Sequence, residues 1–321
     1  PEKIEWSVTD GGTFASVSDA GVVTGLAEGT AEVTLTVTYD NAKYTDTITV
    51  NVTIPTDSVA PAQDVLFDKT NTSYDADALA KALWGDQTDK VITDLRYGSA
   101  AASASIVNDS AYVWTNVPAG EDRVFYAVSD NVAYEFTALV VSRQIGSADE
   151  FMAWRDETSA NAKTYTNGTA AKADVYTYGE GEYILLTSSF TIDGVVNHQV
   201  SMQTAPSTTL DDNKVGFLGT FNGNGHTITA TVGQSGLFGD IGSGAVVKNL
   251  GVVATLSYAD VHSVANSGNI QSHPAALACR AFGAMIENCY ISVKDGCEQV
   301  GRCSGVFMTA GNVTIKNSVV V

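Results

Sequence analysis

A seven-residue segment with asparagine at its sixth position occurs three times in the last third of this 321-residue chain. The copies read GAVVKNL at residues 244–250, GAMIENC at 283–289 and NVTIKNS at 312–318. The asparagines Asn249, Asn288 and Asn317 are 39 and 29 residues apart, and a short apolar stretch follows each copy. A repeat of somewhat more than ~20 residues that carries insertions is typical of solenoids. The pattern predicts a right-handed parallel β-helix, in which apolar side chains stack between coils and asparagine ladders satisfy the turn backbone.

An earlier turn of the same repeat precedes these copies. Residues 217–228 read FLGTFNGNGHTI, and residues 236–239 read GLFG. Both stretches resemble the Gly-Leu-Phe-Gly type repeats of bacterial β-helical surface proteins, within the pectate-lyase-like superfold. The resemblance covers about residues 144–321. It implies a surface protein, although the same superfold also includes enzymes that cleave polysaccharides.

The segment before the first coil has the pattern of a capping helix. An uncovered end of a β-helix exposes strand edges and an apolar cross-section, so we expect a cap there. Ser147 is the predicted N-cap, and Glu150 completes a capping box three residues later. Phe151, Met152 and Trp154 supply the apolar surface that would lie on the first coil.

The N-terminal stretch alternates apolar and polar residues between turn signals, as half-buried antiparallel strands do. The predicted strands are residues 4–8, 14–17, 22–25, 31–39 and 46–54. We expect Trp6 to anchor the core, Ile48 to face inward, and Gly21, Gly25 and Gly29 to occupy turns that need an open backbone. The order of these cues resembles the bacterial Ig-like domain of group 2 over residues 1–55. The resemblance implies a spacer or adhesive module of bacterial surface proteins, and that family usually has a further strand or two before the tryptophan.

The middle stretch, residues 56–143, begins with a linker at 56–63 and predicts a short helix at 76–83, with Ala78, Leu79, Ala82 and Leu83 on its apolar face. Strands are predicted near residues 65–67, 91–97, 112–116, 123–128 and 133–142. A small β-rich domain, in the form of a second Ig-like sandwich with one helix, accounts for the pattern. Five aromatic residues suit either a sugar-binding platform or a core, and the core is favoured. They are Trp84, Tyr112, Trp114, Tyr126 and Tyr134.

The chain carries 36 acidic and 17 basic residues, which gives a net charge of −19. This balance argues against nucleic-acid binding and against an anionic membrane surface, because both need clustered Lys and Arg. The acidic residues are spread evenly along the chain, so we expect a solvated, monomeric protein. No apolar run is long enough to span a bilayer, and no membrane insertion is predicted.

The candidate binding residues lie in two insertions of the repeat, residues 257–274 and 295–304, because insertions on a rigid solenoid are free to vary. We single out Tyr258, His262, His273, Glu298 and Arg302. The four cysteines allow three pairings, and the sequence does not choose among them or exclude free thiols. In one pairing Cys297 and Cys303 close a short disulfide loop, which leaves Cys279 and Cys289 to bridge each other or to remain buried thiols.

No catalytic, metal or cofactor site is predicted. The candidate acids are scattered, the four histidines show no metal-ligand spacing, and solvated turn acids explain the pattern better than a catalytic cluster does. The acids considered are Asp211, Asp212, Asp240, Asp260 and Asp295.

These features predict an all-β modular protein with an Ig-like sandwich at residues 1–55, a small β-rich domain at 56–143 and a capped right-handed β-helix at 144–321. We expect the sequence to begin inside a domain and to stop inside a repeat. The expected function is non-enzymatic and adhesin-like, in a bacterial cell-surface or secreted protein that binds a host protein or a glycan through β-helix loops. A polysaccharide lyase or hydrolase and a purely structural stalk are the alternatives.

Overall fold

A computed structural model describes residues 2–108, 111–112, 114–161, 163–165, 175–196, 216–233, 236–257, 275–294 and 305–321. Across these residues the protein is mostly β, with the two α-helices α1 (Ala76–Trp84) and α2 (Ala148–Asn161). The chain divides into two compact units. The first comprises residues 1–67 and 71–140, and the second comprises residues 68–70 and 141–321. The division into three domains stays a prediction.

The N-terminal part of the first unit is a small antiparallel β structure. Its strands are β1 (Lys3–Asp10), β2 (Ala15–Val17), β3 (Val23–Gly25), β4 (Gly29–Tyr39) and β5 (Ala42–Val52). Strand β4 lies between β1 and β5, and β2 pairs with β3. Trp6 pairs with Leu35, and Val33 pairs with Ile48, which places these apolar residues on one face of the sheet. This arrangement follows the predicted alternation.

Two residues on this face differ from the prediction. Trp6 is half-buried rather than a fully buried anchor, and Ile48 is 53% exposed. Burial concentrates on the central strand β4, at Ala31 and Val33, whereas β5 is an edge strand. Gly21 occupies a position that requires glycine, as predicted. Its φ is 78°, and a Cβ atom there would lie 2.7 Å from Trp6 Cε2.

The rest of the first unit is one larger sheet with a helix on it. Its strands are β6 (Thr56–Ser58), β7 (Leu66–Asp68), β8 (Asp94–Tyr97), β9 (Val107–Asn108), β10 (Ala111–Tyr112), β11 (Gly120–Ser129) and β12 (Val132–Val141). The sheet order is β6-β12-β11-β8, with β7 also on β12, and β9 pairs with β10. Leu79 and Leu83 of α1 share a core with Phe125 and Phe136 of the sheet. Here α1 covers the sheet where a sandwich would have a second sheet, and Trp114–Asn116 forms a 3₁₀ turn where a strand was predicted.

The second unit is built from three mainly parallel sheets. Sheet A contains β14 (Lys163–Tyr165), β15 (Val175–Tyr178), β18 (Gly216–Phe217), β21 (Asp240–Ile241), β24 (Ala278–Phe282) and β27 (Phe307–Gly311). Sheet B contains β13 (Arg143–Ile145), β16 (Tyr183–Leu186), β19 (Thr220–Asn222), β22 (Val246–Lys248), β25 (Met285–Glu287) and β28 (Thr314–Lys316). Sheet C contains β17 (Phe190–Val196), β20 (Thr227–Val232), β23 (Gly251–Leu256), β26 (Tyr290–Lys294) and β29 (Val319–Val320).

From β15 onward the chain visits sheets A, B and C in turn, and each new strand pairs in parallel with the strand of the preceding visit. We call each A-B-C passage a coil. Lys248 pairs with Glu287, and Glu287 pairs with Lys316, so the predicted asparagine repeat is in register. Inward residues form buried stacks such as Ile228, Val252 and Ile291. Parallel sheets in this succession are consistent with a β-helix.

The predicted helix is present as α2, and its apolar side chains pack against the first coil. Phe151 and Trp154 of α2 are fully buried, and their rings lie 6.2 and 5.7 Å from the ring of Phe221 in sheet B. Ser147 Oγ accepts a hydrogen bond from the Glu150 N–H at 3.2 Å. The Glu150 carboxylate accepts a hydrogen bond from the Gly146 N–H at 2.7 Å, one residue earlier than in the usual capping box.

Candidate functional site

One corner of the second unit carries the long connections between strands. Links from sheet A to sheet B and from sheet B to sheet C are at most four residues long from β15 onward, as at residues 223–226. The links from sheet C back to sheet A are longer. Three of them span residues 197–215, 257–277 and 295–306. Insertions are therefore restricted to a single type of turn.

The ends of these three links lie at one corner of successive coils, and the shorter link at residues 233–239 separates the first long link from the second. At the end of sheet C, Val196 pairs with Val232, which pairs with Leu256, and Thr255 pairs with Lys294. At the start of sheet A, the strands that receive the links, β18, β24 and β27, belong to one continuous ladder. We call this region the insertion corner, defined by the three links and the strand ends that flank them.

Both segments chosen from sequence belong to the insertion corner, but their side chains lie outside the described residues. This applies to every contact or disulfide residue named above: Tyr258, His262, His273, Cys297, Glu298, Arg302 and Cys303. The link at residues 197–215 is not among the predicted insertions, because the three asparagines that define the repeat, Asn249, Asn288 and Asn317, all follow it. The signal for this first insertion is the large number of residues in the sequence between the predicted strand at 183–186 and Phe221, which exceeds the length of one repeat.

A buried ion pair joins two coils at the start of sheet A. Arg280 on β24 donates from Nε to both carboxylate oxygens of Asp240 on β21, each at 3.1 Å, and Nη2 makes a further contact with Oδ2. Asp240 is only 3% exposed. Burial raises the pKa of Asp240, and the Arg280 guanidinium opposes that rise. The prediction of a solvated turn acid is therefore wrong for Asp240, because its strand register places it beside Arg280.

The two described cysteines are buried and poorly suited to reaction. Burial raises the pKa of Cys279 to about 12 and also raises the pKa of Cys289. Cys289 is a free thiol whose Sγ donates to the Glu287 carbonyl at 3.3 Å, so of the two alternatives for this cysteine the buried thiol is observed and the bridge to Cys279 is not formed. Since the thiolate is the nucleophile and the metal ligand, neither group is poised for such chemistry. Within the described ranges, no three His, Cys, Asp or Glu residues are grouped to hold a metal ion.

Alkylation should distinguish the four cysteines. A pKa of about 12 instead of 9 lowers the thiolate fraction at pH 8 about a thousandfold. We expect iodoacetamide to leave Cys279 and Cys289 unmodified in the folded protein and to modify both in urea, as read by peptide mass spectrometry. The proposed disulfide predicts that Cys297 and Cys303 react only after reduction. Rapid native labelling of Cys289 would contradict its burial, and labelling of Cys303 without reductant would exclude the disulfide.

Three of the five aromatic residues considered for a sugar platform, Trp84, Trp114 and Tyr134, make packing or polar contacts within the first unit. Trp114 is buried, and its Nε1 donates to the Asn71 carbonyl at 3.0 Å. Trp84 and Tyr134 meet edge-on at 5.2 Å, and Lys90 Nζ lies 4.8 Å from the Tyr134 ring centroid. Their arrangement supports the structural interpretation for these three rings. The side chain of Tyr112 lies outside the described residues.

Residues 2–48 match the family model of the bacterial Ig-like domain (group 2), which confirms the resemblance of the N-terminal region. Domains of this group occur in bacterial surface proteins, so the match is compatible with a modular surface protein. Comparisons with curated proteins and with solved structures find no match. Neither α1 nor α2 is long and apolar enough to cross a membrane, and the described part of the chain has no other α-helix.

Proposed function

We propose that this chain is a non-enzymatic, modular protein of the bacterial cell surface or secreted space. In this proposal the Ig-like region is a spacer, and the second unit is a closed right-handed β-helix that binds a host protein or a glycan through the insertion corner. The observation that carries the proposal is the restriction of three long links to one corner of successive coils.

The physical support is the contrast between a fixed scaffold and variable connections. Every coil contributes inward residues to one buried core, so a change in coil length at sheets A, B or C would disrupt packing. A link at the insertion corner adds length without changing that core, and binding residues commonly lie on such links. The Asp240–Arg280 ion pair holds two coils together where one of these links returns to the scaffold.

Three further features favour the handedness, the non-enzymatic role and the ligand class in this proposal. Parallel crossover connections are right-handed in about 98% of cases, which supports a right-handed solenoid. For the non-enzymatic role, Asp240 is held by Arg280, so this acid near the insertion corner is unsuited to act as a general base. The net charge of −19 disfavours nucleic acids as ligands, because their phosphates would be repelled.

The test replaces residues 258–274 and 295–304 together by short Gly-Ser turns. We expect the parent protein to retain a specific glycoprotein or polysaccharide from intestinal mucus. The affinity of the double replacement for that ligand should be at least tenfold lower. A Gly-Gly replacement of Asp40 and Asn41, in the β4–β5 turn of the first unit, is the control and should bind normally. Equal retention by the double replacement would refute the binding role. Release of sugar fragments during incubation would instead favour the polysaccharide-cleaving alternative.

A further inference from the structure

A second surface feature lies at the turn from sheet B to sheet C, a different corner from the insertion corner. A groove of about 400 Å³ spans three successive coils there. Its polar lining includes Asn224, Asn249 and Asn288, one from each coil, together with Thr227 and Tyr290. All of these lining residues lie on or beside the short turns from sheet B to sheet C.

The groove exists because one coil has no side chain at a position where its neighbours do. Thr227, Gly251 and Tyr290 are paired in register on sheet C, and the next residue of each strand is buried, so all three positions face outward. A Cβ atom on Gly251 would lie 2.3 Å from Thr227 Oγ1, so the hydroxyl leans over the glycine. With strands about 4.8 Å apart, the backbones of Thr227 and Tyr290 lie about 10 Å apart on either side of Gly251, and the Thr227 hydroxyl occupies part of this notch. Tyr290 is 50% exposed.

The asparagines beside the notch are held in fixed positions. Asn249 Nδ2 donates to Asn222 Oδ1 at 3.0 Å, and Asn288 Nδ2 donates to Asn249 Oδ1 at 3.2 Å. The φ angles of Asn249 and Asn288 are 52° and 53°, in the left-handed region that asparagine tolerates. Asn249 donates one ladder bond and accepts another, and Asn288 donates one, which uses only part of the two N–H donors and two carbonyl lone pairs of each amide. The ladder continues to the buried Asn222, and in that coil the exposed Asn224 lines the groove instead. Asn224, Asn249 and Asn288 therefore present donors and acceptors along the groove at one amide per coil.

We propose that this groove binds a neutral oligosaccharide. Amide and hydroxyl groups that both donate and accept match sugar hydroxyls, and the half-exposed Tyr290 side chain offers an aromatic ring on which a pyranose ring can stack. One coil spacing is close to the length of one sugar residue, so successive sugars would meet successive asparagines. Among the described residues that line the groove none is charged, and the chain carries a net charge of −19, which disfavours acidic polysaccharides.

An extended peptide is the competing ligand, and the sheet disfavours it. Peptides that bind by strand addition need an unpaired strand edge. Strands β20, β23 and β26, which form the sheet C side of the groove, are each paired on both sides. Their backbone groups are already used by the ladder, which leaves side-chain recognition as the means of binding.

The experiment is affinity gel electrophoresis of the full chain in gels that contain one polymer each. The neutral polymers are hydroxyethyl cellulose, xyloglucan, galactomannan and glycogen, with polygalacturonate and gelatin as the acidic and peptide polymers. We expect a neutral glycan to retard the protein. Tyr290→Ala should weaken retardation about tenfold through loss of stacking, and Tyr290→Phe should stay within about twofold. Tyr44→Ala, a change at a 62% exposed tyrosine of the first unit, is the matched control and should bind normally.

Each outcome is decisive. Retardation by a neutral glycan that Tyr290→Ala removes and Tyr290→Phe retains supports the groove. No retardation by any neutral glycan, retardation that Tyr290→Ala leaves intact, or retardation only by polygalacturonate or only by gelatin overturns it. The Gly-Ser double replacement at the insertion corner should bind neutral glycan normally. This proposal and the proposed function therefore fail or succeed separately.

Discussion

Replacing Trp154 by alanine is expected to lower the free energy of unfolding of the second unit by about 3–5 kcal/mol. Trp154 is 1% exposed, and its ring lies 6.0 Å from the ring of Phe217 and 5.7 Å from that of Phe221. Removing it leaves a cavity over the first coil that neighbouring aromatic rings cannot refill, since they are already packed against one another. The change also weakens the cover on strands that would otherwise expose apolar surface.

Urea denaturation followed by far-UV circular dichroism, together with hydrogen exchange of peptides from β16 and β19, would measure this loss. Two variants of the same helix calibrate it. Ser147→Ala removes the N-cap bond and should cost about 1 kcal/mol, and Glu157→Ala, at a side chain 53% exposed, should cost less than about 1 kcal/mol. A Trp154→Ala loss no larger than that of Ser147→Ala would show that the cap does not stabilise the coils.

The repeat was predictable because parallel pairing between successive coils makes long-range contacts periodic in sequence. Leu237 and Phe238 of the GLFG segment donate backbone hydrogen bonds to Ala276 and Leu277, which is the alignment expected from the repeat. The same segment owes its composition to packing, since Phe238 is fully buried and its ring lies 5.0 Å from that of Phe221. The capping helix was predictable for a related reason, because its capping box and apolar residues are local signals.

Features that depend on the exact pairing of residues between strands of successive coils were not predictable. The Gly251 notch needs the register of Thr227, Gly251 and Tyr290, and the intervals between them differ because of the long links. Asp240 was misjudged for the same reason, since Arg280 is 40 residues away in sequence. In the first unit, Ile48 has the right alternation for burial, but alternation gives only the face of a strand and says nothing about what covers it.

Replacing Asp240 by alanine is expected to cost about 3–5 kcal/mol, because the Arg280 guanidinium then lies in a poorly solvated position without its carboxylate. The side chain of Arg280 is 16% exposed, and its Nε bonds both oxygens of Asp240. Asp130→Ala is the matched control, because it removes a carboxylate that bonds Lys90 at 3.2 Å but is 74% exposed. Such a surface pair should contribute less than about 1 kcal/mol.

Two measurements make the Asp240 prediction specific to the ion pair. In urea denaturation, the double variant Asp240→Leu with Arg280→Met should recover most of the loss, because an apolar pair of similar volume removes the buried charge along with its partner. In native alkylation, Asp240→Ala should speed modification of the neighbouring Cys279, since the strands that bury this thiol are then less firmly joined. If the double variant were as unstable as Asp240→Ala and Cys279 stayed unreactive in both, the loss would reflect packing around Asp240 and not the pairing of charges. Full recovery together with faster alkylation in the single variant would instead establish that this ion pair joins β21 and β24 beside the insertion corner.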